Sequence, residues 1–210
     1  LKEQGLLYSQ PPEIEAPLFD GHIKSLCVHI CHDCNMNCKY CFGDGGNYFG
    51  KKEIMSEDTA FAAVDFLIEK SGNIKNLEMD FFGGEPMLNY KTVVSTVNYA
   101  RQRESRYGKK FKFTVTTNGL MLGDDAIDFF NKEMDNVVIS IDGRKQTHDN
   151  IRKTSGGKGT YDIVINNAKK FRAQRGDKDY YIRGTYTAEN LDFCGDVLAL
   201  ADCGFDQISI

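Results

Sequence analysis

Residues 23–42 read IKSLCVHICHDCNMNCKYCF. The first eight, Ile23–Ile30, alternate so that Leu26, Val28 and Ile30 share one face, which is the period of a β-strand. Directly after them, four cysteines (Cys31, Cys34, Cys38 and Cys41) fall within eleven positions, and Cys27 stands just before. A strand that empties into a thiol-dense loop puts chemistry at a carboxyl-terminal strand end. The rest of the chain is read outward from that placement.

The same alternation continues. Ser56 caps a helix through Phe61, Val64, Leu67 and Ile68, with Gly72 as its stop. Leu77–Phe82 reads as the second strand and Tyr90–Tyr107 as a helix stopped by Gly108. Phe111–Thr117 is the third strand, Asp124–Glu133 a short helix and Val137–Ile141 the fourth strand. Thr160 caps a helix ending near Gly176, Tyr180–Tyr186 is the fifth strand, Phe193–Asp202 a helix stopped by Gly204, and Gln207–Ile210 begins a sixth strand. Strands that alternate with helices imply an α/β fold of parallel strands joined by right-handed crossovers, as an open doubly wound sheet or a barrel-like curve. Residues 1–22, with Pro11, Pro12, Pro17 and Gly21, read as an irregular lead-in, and 23–210 as one domain that stops inside an apparent strand, as a fragment of a longer protein would. Phe61, Phe66, Phe129, Phe130 and Phe171 are expected in the core. Lys109, Lys110 and the charges of RAQRGDKD are expected at solvated helix ends.

The net charge of −4 gives no electrostatic reason to expect nucleic acid or an anionic membrane as partner. No apolar run approaches the roughly 20 residues of a membrane span, and the first residues lack the order of a signal peptide. The expected location is the cytoplasm, where thiols stay reduced. The chain has 7 cysteines, an odd number that suits a disulfide scaffold poorly. Dense thiols in a reducing compartment point to a metal or to redox chemistry.

Thiolates bind zinc, copper(I) and iron–sulfur clusters. Structural zinc sites pair two C-x2-C knuckles across a spacer of a dozen or more residues, whereas Cys31-x2-Cys34 and Cys38-x2-Cys41 are separated by three. Cys34-x3-Cys38-x2-Cys41 fits better as one loop around a larger object, a cubane held at three corners. The other unusual strings fall at strand ends in register with this loop. FFGGEP closes the second strand, TTNG the third and SIDG the fourth. In parallel α/β folds, that edge is where active sites form. Two glycines in Gly83-Gly84-Glu85-Pro86 allow close backbone approach to a ligand, and the Glu85 carboxylate can accept from an ammonium. Thr116-Thr117-Asn118-Gly119 and Ser140-Ile141-Asp142-Gly143 also read as plain turn chemistry. His29, His32 and His148 lack metal-ligand spacing and are expected to be polar groups at the surface or behind the ligands.

C-x3-C-x-aromatic-C after a first strand, here Cys34, Cys38, Tyr40 and Cys41, resembles the signature of the radical S-adenosylmethionine (SAM) enzymes. The resemblance implies a [4Fe–4S] cluster held by Cys34, Cys38 and Cys41, whose fourth iron is chelated by the amino and carboxylate groups of SAM. The alternative register Cys31, Cys34, Cys38 lacks the aromatic residue whose neighbouring backbone contacts adenine in the family. Cys27 and Cys31 are therefore expected to be small, half-buried strand residues. The resemblance also assigns Gly83, Gly84, Glu85 and Pro86 to SAM binding. It gives Thr117, Asn118, Ser140 and Asp142 to the ribose and carboxylate positions, and makes Arg152 a partner for the SAM carboxylate. It implies a partial (β/α)6 TIM-like barrel truncated at the sixth strand.

Within the family, LCVHICHDCNMNCKYCF, DFFGGEP and SIDGRKQTHDNIR resemble SPASM-type peptide maturases that cross-link six-cysteine (SCIFF) precursor peptides. That likeness implies a Cys-rich precursor peptide as partner, an external electron donor, and a thioether between a cysteine sulfur and a threonine α-carbon. The chain departs from these maturases in lacking the C-terminal auxiliary-cluster cysteines and the small N-terminal peptide-recognition domain. A sulfatase-maturing type and a non-enzymatic metal-binding module are the alternatives.

Overall fold

The computed structural model describes residues 21–210, so the expected lead-in over 1–22 lies almost wholly outside the described residues. Strands are β1 (Ser25–Cys31), β2 (Met36–Cys38), β3 (Asn76–Gly83), β4 (Lys110–Thr117), β5 (Asn136–Ser140), β6 (Arg152–Thr154), β7 (Asp179–Arg183) and β8 (Ile208–Ser209). Helices are α1 (Glu57–Lys70), α2 (Tyr90–Tyr107), α3 (Asp124–Glu133), α4 (Lys145–Ile151), α5 (Tyr161–Arg175) and α6 (Phe193–Asp202).

Six strands form one sheet in the order β1-β3-β4-β5-β7-β8, every neighbouring pair parallel. Each step moves to the next strand through a helix. Right-handed crossovers taken always in one direction put the helices on one face. β4 shows the two faces: Phe111, Phe113, Val115 and Thr117 are buried, while Lys110 and Lys112 are exposed. On the uncovered face Cys27, Asp80, Thr114, Asn136 and Asp179 lie in one register row. This is an α/β parallel sheet consistent with a partial barrel.

The helices follow their sequence signals. The Ser56 hydroxyl accepts from the Thr59 N–H at 3.2 Å, and α1 buries Ala60, Val64, Leu67 and Ile68. Full burial of each large side chain contributes about 1.5–3 kcal/mol. Gly108 ends α2 in the left-handed conformation, where a Cβ costs energy.

Four expectations are corrected. Phe66 is 43% exposed, because it lies off the buried stripe of α1. Thr160 begins α5, but its hydroxyl makes no cap; Asp149 Oδ1 accepts from the Thr160 and Tyr161 N–H groups instead, at 2.7 and 2.9 Å. Arg175 is buried rather than solvated, donating to the carbonyls of Phe130, Asp135 and Asp179. The fifth main-sheet strand, β7, stops at Arg183 rather than Tyr186. The antiparallel ribbon β2–β6 and helix α4 had no periodic signal, being 3, 3 and 7 residues long.

Candidate active site

The cysteine loop leaves β1 at Cys31, which is wholly buried and bridged to Ile54. Cys27, lower on the strand, is exposed. Neither matches the expected half-burial: Cys27 is on the uncovered face of an edge strand, and Cys31 is packed beneath the loop. Past the turn, β2 pairs with β6 so that Cys38 stands opposite Arg152. Cys34, Cys38 and Cys41 line one cavity of about 300 Å³, and Cys31 is not in its wall. The Cys34 sulfur accepts from the Met36 N–H at 3.4 Å and from Asn118 Nδ2 at 3.7 Å. Burial pushes the Cys34 thiol up to about 12, with the nearby Glu85 carboxylate and Cys38 adding to it, and burial raises Cys38 as well. Binding of a metal to these thiols would therefore release protons. Among the described residues, no three His, Cys, Asp or Glu side chains are gathered as one metal ion requires. The three sulfurs share a cavity wall instead, a spread that suits a multi-iron object.

GGEP leaves β3 directly against this loop. The Gly84 N–H donates to Cys31 O and the Glu85 N–H to Asp33 O, both at 2.8 Å. A Cβ on Gly84 would stand 2.1 Å from Asp33 O, and one on Gly83, whose φ is +123°, 2.4 Å from Cys31 O. The two glycines are thus demanded by the backbone of the cysteine loop, a requirement that the expected approach to a ligand did not include. Pro86 opens the short turn that leads into α2. The Glu85 side chain is buried; Oε1 accepts from the Thr117 hydroxyl at 2.7 Å and the Met87 N–H at 3.0 Å, and Oε2 from the Asn118 N–H at 2.7 Å. It ties the ends of β3 and β4 together, and one acceptor position remains on Oε2. Burial holds its pKa above the ordinary carboxylate value.

A second network joins the loop to the far strands. Arg152 Nη1 donates to the Tyr40 hydroxyl at 2.5 Å, and that hydroxyl donates to Asp142 at 2.8 Å. Asp142 Oδ1 also accepts from the Thr185 N–H at 3.1 Å. Burial raises the Asp142 pKa, against the opposing pull of Arg152 and Tyr40. Burial works against the Arg152 charge, but Tyr40, Cys38 and Asp142 outweigh it and hold the guanidinium protonated. Arg152 is 6% exposed, and its Nε has no partner among the described residues. His148 is fully buried behind this network, the second of the two places expected for it. Its Nδ1 accepts from the Asp142 N–H at 3.4 Å, and its Nε2 meets Thr160 Oγ1 at 2.9 Å. The Thr160 hydroxyl spends its proton on Arg152 O at 2.8 Å, so His148 is neutral with its proton on Nε2.

Thus Tyr40, Gly83, Gly84, Glu85, Thr117, Asn118, Ser140 and Arg152 line the same cavity as the three thiols, and Asp142 and Pro86 stand behind it. Residues not singled out from sequence complete the wall. Tyr48, on the loop after Cys41, donates to Gly83 O at 2.8 Å. Asp44, Tyr48 and Phe49 hold positive φ there, and no periodic signal marks such a loop. Arg183 and Thr185 close the far side at the end of β7.

The Radical SAM superfamily profile matches residues 28–186, more than half of the chain. The chain belongs to the Radical SAM superfamily. Among relatives in this superfamily, it is 26% identical over 169 residues to the radical SAM cyclopropyl synthase TigE of Paramaledivibacter caminithermalis, covering 75% of this chain and 34% of that protein. It is 28% identical over 144 residues to the cysteine-type anaerobic sulfatase-maturating enzyme of Clostridium novyi, covering 65% and 37%. The solved structure of native anSMEcpe with bound AdoMet and Cp18Cys peptide superposes with a TM-score of 0.76 at 21% identity, over 89% of this chain and 50% of that one. The chain therefore spans about a third to a half of the length of these proteins. The cofactors of this radical SAM chain are those of the superfamily, a [4Fe–4S] cluster and SAM. The donor chemistry fits: three thiols share one wall, and the partnerless Nε of buried Arg152 is a donor that a carboxylate can satisfy.

Proposed function

We propose that this chain is the catalytic core of a peptide-modifying radical SAM enzyme that cleaves SAM reductively and cross-links a Cys-rich ribosomal peptide through a thioether. The observation that carries the reading is the convergence of Cys34, Cys38 and Cys41 with the Glu85 and Arg152 networks on one cavity. Held by Cys34, Cys38 and Cys41, the cluster would supply the electron for reductive cleavage of SAM, the chemistry that starts hydrogen abstraction from a substrate.

The protein's own residues position SAM. The remaining acceptor site of Glu85 Oε2 takes the SAM ammonium. Arg152 takes the carboxylate, for which a guanidinium is geometrically matched. Tyr40 holds Arg152 and Asp142 in one arrangement, so the guanidinium is oriented before SAM arrives. Gly83 and Gly84 clamp the cysteine loop, Asn118 orients the Cys34 sulfur, and Thr117 and Ser140 face the ribose.

The Cp18Cys peptide bound together with AdoMet in native anSMEcpe, which has the same fold, supports the peptide side of the reading. The Clostridium novyi relative supports a second reading, maturation of a sulfatase. Anaerobic reconstitution with iron and sulfide, then an assay for 5′-deoxyadenosine, tests the reaction class. Mass spectrometry of a Cys-rich peptide separates the two substrates. A loss of two hydrogens with one cysteine no longer alkylatable supports the cross-link, whereas modification of a sulfatase peptide alone supports the second reading.

A further inference from the structure

The charged side chains in the cavity wall are Glu85, Arg152 and Arg183. The first two are buried and held by the networks above. Arg183 is not: its side chain makes no hydrogen bond or ion pair among the described residues. It stands in register with Ser140, at the end of β7. The thiol loop leaves β1, at the opposite edge, with β3, β4 and β5 between.

SAM brings one carboxylate, together with an ammonium and a sulfonium, and is a net cation. Its carboxylate is already matched by Arg152, which lies beside Cys38 with an unused Nε. Arg183, at the far side of the same cavity, is left without a partner by that assignment. Exposed at the end of β7, it is the charged group of the wall that remains for a second anion.

We infer that Arg183, flanked by Ser140 and Thr185, reads a carboxylate of the substrate: the acidic side chain of a residue beside the one that loses hydrogen. The inference rests on the peptide-modifying reading above. The fork of one guanidinium fits a carboxylate bidentately. A phosphate calls for several cations or a row of backbone N–H groups, and neither is present at the end of β7. The site also fits the direction of approach, because the uncovered face of the sheet leads to Arg183 past Tyr181, which is 41% exposed.

The test uses the reconstituted, SAM-bound chain and two labelled peptides, each acetylated and amidated with one cysteine and one threonine. They differ in a single side chain beside the threonine, Glu in one and Gln in the other. The Glu peptide should bind the wild-type chain about tenfold more tightly, the size of a charge-assisted hydrogen bond. Arg183→Ala should erase that preference, and Arg183→Glu should shift it to a peptide with Lys at that position. Arg152→Ala should weaken SAM binding and retain the preference for Glu. Equal affinity of the two peptides for the wild-type chain, or a preference that survives Arg183→Ala, overturns the inference. So does a loss of SAM affinity in Arg183→Ala as large as that in Arg152→Ala, which would make Arg183 a SAM ligand. Absence of 5′-deoxyadenosine from the loaded wild-type chain contradicts the functional reading instead, whichever peptide binds.

Discussion

Gly84 and the carbonyl of Asp33 are packed so closely that a Cβ on Gly84 would lie 2.1 Å from that oxygen. On its other side, Gly84 meets the Cα of Gly46, within 2.9 Å of the same Cβ position. The strand-end turn and the cysteine loop are therefore packed backbone against backbone, although they lie far apart in the sequence.

This packing makes Gly84→Val a test of coupling. Displacing backbone atoms costs about 1–3 kcal/mol, and the displaced segment carries Cys34. The variant should lose iron on reconstitution as well as SAM affinity, together with a lower Tm. Full iron loading with SAM affinity alone reduced would show that the glycine serves only the ligand.

Cys34→Ala, Cys38→Ala and Cys41→Ala should each abolish the brown absorbance and SAM cleavage together. Cys31→Ala should retain both at a modest cost in stability, since it removes a fully buried sulfur from the core beneath the loop. An iron-free Cys31→Ala protein that is otherwise folded would move the ligand set by one register.

Tyr40→Phe removes the hydroxyl between Arg152 and Asp142. It leaves a buried carboxylate short of a donor, which costs about 1–3 kcal/mol. SAM affinity should fall by about tenfold while the iron content is unchanged. An unaltered Kd for SAM would remove Tyr40 from the positioning of Arg152.

Burial lowers the His148 pKa from 6.5 to about 3, with Arg152 reinforcing the shift. The unfolded chain then binds a proton that the folded chain rejects. The stability from this group is full above the unfolded value and is lost as pH falls from about 6.5 towards 3. The slope is about 1.4 kcal/mol per pH unit. Denaturant titrations at pH 7 and pH 5 should show the drop in the wild-type chain and a shallower one in His148→Gln. Equal slopes would mean that His148 is protonated in the fold.

The main sheet was legible because its strands and helices are long enough to show their periods, as in Phe111–Thr117 and Tyr90–Tyr107. The wall residues were legible where a string combined glycines with a carboxylate or spaced thiols. What escaped was set by tertiary contact. The ribbon that pairs Cys38 with Arg152 is three residues deep. Arg175 looks like a surface charge until the carbonyls around it are placed. Phe66 looks like core until its position off the buried stripe of α1 is known. Arg183 ends an ordinary alternating strand, and its exposure towards a cavity has no counterpart in local sequence.

The central claim is that Cys34, Cys38 and Cys41 hold a cluster that reduces SAM. Anaerobic reconstitution of the chain with iron and sulfide, followed by reduction with dithionite in the presence of SAM, tests it in one tube. The account predicts about four irons per chain, as for a single [4Fe–4S] centre, and stoichiometric or greater 5′-deoxyadenosine with equal methionine. About one zinc per chain without bound sulfide, or a loaded cluster that yields no 5′-deoxyadenosine, would contradict it.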